Sequence, residues 1–91
     1  MSKTLDFDTV ANAALPEVTS ACMAVIDRLQ SYNPGIQALA LASVFKLLCE
    51  AAKVEPQEIF TYAGNIMDTR EGERRGNFRA VKRYIQEELK L

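Results

Sequence analysis

The sequence predicts an all-α fold, a small four-helix bundle or an orthogonal helical array with a short N-terminal arm, and three observations predict it. Apolar residues recur at helical spacing in four stretches, a proline stands where three of those stretches begin, and the connections between them are short. With 91 residues, 48% of them hydrophobic and 25% charged, the chain has material for one core. Residues 1–91 are therefore read as a single helical domain. A domain of this size hides roughly 60 to 65% of the surface its unfolded chain exposes, a thin margin that a homodimer would widen.

Residues 1–14 form the arm. Leu5, Phe7 and Val10 fit an alternating and a helical spacing equally well, so periodicity selects neither, and they are expected to dock on the body. A short helix after Asp8, with Asp8 as its N-cap, fits the same residues. The first long helix spans about 16–30. Pro16 suits its first turn, where a backbone N–H would have no helical partner in any case. Val18, Ala21, Cys22, Val25, Ile26 and Leu29 follow at i, i+3, i+4, i+7, i+8 and i+11, all on one stripe.

Ser31 to Gly35 is a break and a restart, with Asn33 as N-cap and Pro34 in the first helical position. The second helix runs from 34 to about 53. Ser43, Lys46, Glu50 and Lys53 occupy one narrow row, while Ile36, Leu39, Leu41, Val44, Phe45, Leu47 and Leu48 cover most of the remaining circumference. A helix apolar nearly all round is expected to be buried nearly all round, so this one is read as the central helix of the bundle. Truncating Phe45 or Leu48 to Ala would then cost about 2 to 5 kcal/mol.

Pro56 restarts the chain, because the residue before a proline is pushed out of the helical region. The third helix covers about 56–68, with Ile59, Phe60, Ala63, Ile66 and Met67 inward. Thr69 to Gly76 is charged and holds Gly72 and Gly76, which reads as a loop. The last helix covers about 77–90. Phe78, Val81, Tyr84, Ile85 and Leu89 share one side of it, and Arg79, Lys82, Arg83, Gln86 and Lys90 take the others.

No apolar run reaches the roughly 20 residues that cross a bilayer, and the first residues lack a signal-peptide core. The expectation is a cytoplasmic protein with no membrane contact. Cys22 and Cys49 fall on apolar helix faces, where a free thiol behaves as a small hydrophobe.

Catalytic equipment is missing. With no histidine, the commonest general base and the commonest zinc ligand are both absent, and two cysteines cannot complete a structural zinc site without carboxylates. The four glycines are isolated, so there is no phosphate loop. The carboxylate pairs Asp6/Asp8, Glu71/Glu73 and Glu87/Glu88 lie in stretches that read as solvated, where nothing shifts a pKa usefully. No enzyme activity, metal or cofactor is expected.

Two surfaces remain as candidates. The segment 48–62 resembles a helix-turn-helix motif: Leu48, Ala52, Val54, Ile59 and Tyr62 fit its apolar slots and Cys49 its small one. Lys53 stands where that family usually has glycine, a position that would require a left-handed backbone. The second helix of the motif opens with Glu55 and Glu58, which would repel DNA phosphates.

The other surface follows from charge. Residues 1–69 carry four basic and eight acidic side chains, and residues 70–91 carry seven basic and four acidic. The basic cluster is Arg70, Arg74, Arg75, Arg79, Lys82 and Arg83. If the last helix extends back by one turn, Arg75, Arg79, Lys82 and Arg83 share a face, with Arg70 and Arg74 on the adjoining loop. No aromatic residue interleaves with them, which disfavours a single-strand stacking platform.

The sequence therefore predicts a non-enzymatic interaction module, an adaptor or inhibitor, that binds an acidic partner protein through this basic surface. Tyr32 and Tyr62 are possible anchors. A DNA-binding helix-turn-helix protein is the alternative, and a homo-oligomeric structural protein or homodimer the third reading. Small size and empty chemistry also suit an accessory protein of a phage.

Overall fold

The computed structural model describes residues 5–67 and 72–91, with side chains at all of them except 7 and 72–76. Five helices follow one another, α1 (Phe7–Ala11), α2 (Leu15–Leu29), α3 (Pro34–Ala52), α4 (Pro56–Met67) and α5 (Gly72–Glu88), and there is no strand among the described residues. The fold is all-α, as expected. The boundaries of α2 and α3 and the start of α4 lie within a residue of those read from the sequence, because each start is fixed by proline chemistry; the expected end of α4 at 68 lies outside the described residues. Asn33 also caps α3 as expected, its Oδ1 accepting from the Ile36 N–H at 3.0 Å.

Two boundaries differ. The arm contains α1, and its N-cap is Asp6 rather than Asp8. Asp6 is extended (φ −140°), and its Oδ1 accepts from both the backbone N–H and the hydroxyl of Thr9, each at 2.8 Å. Those donors hold the Asp6 carboxyl below its usual range. The last helix begins at Gly72 rather than Asn77. Glycine in a helix costs only about 1 kcal/mol relative to alanine, and the glutamate and arginines between Gly72 and Gly76 are good helix formers. Residues 69–71 of the expected loop lie outside the described residues.

The main pairing is α2 against α5. Ile26 of α2 and Val81 of α5 are the buried apolar residues there, flanked by half-buried Cys22, Met23, Leu29, Phe78, Tyr84 and Ile85. Two polar ties run between the same helices. The Tyr84 hydroxyl donates to Asp27 Oδ1, and Gln30 Nε2 donates to Glu88 Oε2 at 2.8 Å. The carboxylate of Asp27 stabilises the protonated phenol, which pushes the Tyr84 pKa up to about 12.

The reading of α3 as a buried central helix is overturned. Its only buried residues are Gln37 and Cys49, and Ile36, Leu39, Leu41, Val44, Leu47 and Leu48 are 47 to 69% exposed. At 100° per residue, Ile36, Leu47, Ala40, Val44, Leu48 and Leu41 fall within an arc of about 140°, which Ala51 and the buried Gln37 share. The physical reason is a shortage of cover. α2 and α5 turn their stripes toward each other, which leaves α4 as the principal neighbour of α3. The two meet through Phe45 and Phe60, whose ring centroids lie 4.6 Å apart at 53°. The large cost expected for truncating Leu48 falls accordingly, since its side chain is half in solvent already.

α3 ends in a Schellman turn. The Lys53 N–H donates to Glu50 O and the Val54 N–H to Cys49 O, while Lys53 adopts the left-handed conformation (φ 59°, ψ 43°). Cys49 lies beneath this turn, fully buried. The arm docks nearby, where Val10 and Asp6 of the N-terminal segment line a small crevice with Val54, Glu58 and Ile59.

The opening of α3 is held by the buried glutamine. Gln37 Nε2 donates to Leu29 O at 2.9 Å and to Tyr32 O at 2.8 Å, satisfying carbonyls where α2 ends. This bond pair ties the α2–α3 turn to the first turns of α3.

Candidate interaction surfaces

The basic surface is only partly assembled among the described side chains. Arg79, Lys82 and Arg83 stand exposed on α5. Arg79 and Arg83 line a hollow of about 400 Å³ with Met23, Ala80, Tyr84 and Glu87, so a carboxylate shares that hollow with the two guanidiniums. Arg74 and Arg75 belong to the opening turns of α5, on the helix rather than on a loop, and their side chains lie outside the description. Arg70 lies outside the described residues altogether.

The two tyrosines offered as anchors divide. Tyr32, in the α2–α3 turn, is 54% exposed. Tyr62 is half-buried, and its hydroxyl donates to Ala11 O at 3.5 Å, which ties α4 to the end of α1. Tyr62 is thus engaged within the fold.

The helix-turn-helix resemblance gains one element and keeps one obstacle. Lys53 takes the left-handed conformation that a glycine would usually supply at such a turn. Glu55 and Glu58, however, are both exposed at the leading end of α4, where carboxylates oppose phosphate.

The larger surface is apolar and was not read from the sequence as a site. Between α2 and α3 runs a groove of about 510 Å³ lined by Ala24, Val25, Leu29, Ala40, Leu41, Val44, Phe45 and Leu48, with Arg28 at its edge. Ile36 and Leu47, exposed and three turns apart on α3, lie on the side of the helix next to the groove residues. Phe60, 58% exposed, extends the apolar surface onto α4. The sequence did carry the signal: seven large apolar residues spread round one helix need more cover than three other amphipathic helices, each with a single stripe, can give.

Chemically the described residues offer little beyond contact. No group of three or more metal-ligating side chains is gathered among them. The cysteines are free, Cys49 buried and Cys22 half-buried, and burial pushes the Cys22 thiol up, away from the reactive thiolate. α3, 19 residues long, also meets the length and composition of a membrane-crossing helix, with a mean hydropathy of 1.4 over an 18-residue window, in contrast to the expectation that no run would. It carries Lys46 and Glu50 along its length. No family model, curated protein or solved structure matches the chain.

Proposed function

We propose that this protein is a non-enzymatic interaction module whose working surface is the apolar face of α3 and the groove beside it. One observation carries the reading: five aliphatic side chains of a single helix, Ile36, Leu41, Val44, Leu47 and Leu48, each about half exposed or more, share one side of it with no covering element among the described residues. Exposed apolar patches of this kind, rimmed by polar residues, mark protein contacts. Lys46 and Glu50 provide the rim on one side and Arg28 on the other. The basic residues Arg79, Lys82 and Arg83 make a secondary surface on α5, suited to steering an acidic partner rather than anchoring it.

The test places a photoreactive phenylalanine analogue in place of Val44 in one version of the protein and in place of Arg83 in another, expressed in the native host and illuminated. Position 44 is expected to give discrete protein adducts, a second copy included. Adducts from position 83 alone, or from neither position, would overturn the assignment of the α3 face.

A further inference from the structure

We infer that the hollow between α2 and α5 receives an acidic peptide segment of a partner protein, a carboxylate of which sits between the guanidiniums of Arg79 and Arg83. The inference rests on the reading of the α5 basic residues as partner-facing, and it is independent of the α3 face.

The hollow is built on the best-covered pairing of the fold. Met23 comes from α2 and Arg79, Ala80, Arg83, Tyr84 and Glu87 from α5, around a space of about 400 Å³. Ile26 and Val81 are sealed between the same two helices, and the Tyr84 hydroxyl is tied to Asp27. A ligand therefore meets walls that are already in place, which lowers the ordering cost of binding.

The two arginines do nothing evident for the fold. They stand four residues apart on one helix, where like charges repel. Neither has an ion pair or a hydrogen bond among the described residues. Glu87 follows Arg83 by four residues, but a base that precedes an acid is the weaker order for a helical pair. Nor do they serve the helix dipole, since the last turn of α5 holds no basic residue. A carboxylate between them would relieve their repulsion and accept from both, and guanidinium forks suit carboxylate oxygens.

The pattern of charge selects a peptide rather than a nucleic acid. Arg79, Arg83 and Glu87 follow at four-residue intervals along the hollow, and Asp27 and Glu88 act on Tyr84 beside it. One end of the hollow is cationic and the other acidic. A nucleic acid, with a phosphate at every step, would be driven against Glu87. A peptide can put one acidic side chain at the arginine end and an apolar or basic one beyond it, and Met23 and Ala80 give the apolar one a floor. The site is open to water, so it orients a partner more than it anchors one.

Selection of displayed random peptides on the wild type, on Arg79→Gln/Arg83→Gln and on Leu47→Glu tests this. The expected result is a set rich in Asp or Glu beside an apolar residue, kept by Leu47→Glu and lost with the double variant. Labelled members of that set should bind the double variant about ten-fold or more weakly in fluorescence anisotropy, the loss of at least one charge-assisted hydrogen bond. Ala80→Trp, which fills the hollow and leaves every charge in place, should weaken them as much. All of these positions are exposed, and a circular-dichroism spectrum like that of the wild type checks each fold. The absence of an acidic set overturns the proposal, as does equal binding by the double variant. Undiminished binding by a folded Ala80→Trp protein would mean diffuse charge attraction and overturns the hollow. A random DNA duplex that binds more tightly than the acidic peptides, through the same two arginines, gives the site to nucleic acid and also overturns it. Peptides lost only with Leu47→Glu belong to the α3 face, so the two surfaces stand or fall separately.

Discussion

α2 and α3 are neighbours in the chain, of 15 and 19 residues, and they meet the solvent in opposite ways. α2 gathers its apolar side chains into one stripe and covers the centre of it with α5, where Ile26 and Val81 are sealed and Tyr84 and Gln30 add polar ties. α3 spreads its apolar side chains round most of its circumference and leaves the larger part open. An amphipathic stripe states which side of a helix faces the core. Uniform apolarity states only that the helix needs cover, not that its own chain supplies it.

The sharpest way to break this contrast is to shave one side chain from each helix. Ile26→Ala should cost about 3 kcal/mol, the transfer term plus the cavity it leaves. Leu39→Ala, which removes a side chain 69% exposed and outside the Ile36–Leu41 arc, should change stability by no more than about 0.5 kcal/mol. Urea denaturation of both variants checks the pair, and equal losses would mean that α3 is as well covered as α2.

A smaller effect is expected at the junction of the two helices. Gln37→Ala removes the side-chain donor from both the Leu29 and Tyr32 carbonyls, of which Leu29 O keeps only the Tyr32 N–H, and should cost about 1 to 3 kcal/mol. Gln37→Glu should be at least as damaging, since a carboxylate would face the two carbonyl oxygens. Thermal unfolding of both variants reads this directly.

The smallest effect is a pH dependence confined to the α2–α5 side. The Tyr84 pKa is raised to about 12 in the folded chain, against about 10 when unfolded. Its bond to Asp27 therefore contributes in full below pH 10 and is lost as the pH rises toward 12. The melting-temperature difference between the wild type and Tyr84→Phe should be constant from pH 7 to 9 and shrink above pH 10. A difference flat across that range would show that the phenol proton plays no part in the pairing.

Much of this was legible beforehand, for identifiable reasons. Pro16, Pro34 and Pro56 act through local sterics, so the starts of α2, α3 and α4 needed no tertiary knowledge. The turn before Pro56 was legible from the proline, whereas the left-handed Lys53 came into view only as an obstacle to the helix-turn-helix resemblance, because lysine has no preference for that region and is held there by the Schellman bonds. Gly72 and Gly76 misled as breakers, since a helix tolerates isolated glycines. The basic cluster was visible as charge, yet only Arg79, Lys82 and Arg83 can be placed as side chains. The α3 face was counted as core because periodicity cannot say whether a covering surface lies within one chain or across two.

Cys49 gives the fold a built-in clock. Its thiol is fully buried beneath the Lys53 turn, so an alkylating reagent can reach it only when the α3–α4 corner opens. The rate of its modification, compared with that of half-buried Cys22, therefore measures how often that corner breathes independently of the α2–α5 pair. Two thiols in one chain, set at different depths, thus report on two parts of the molecule without any added label.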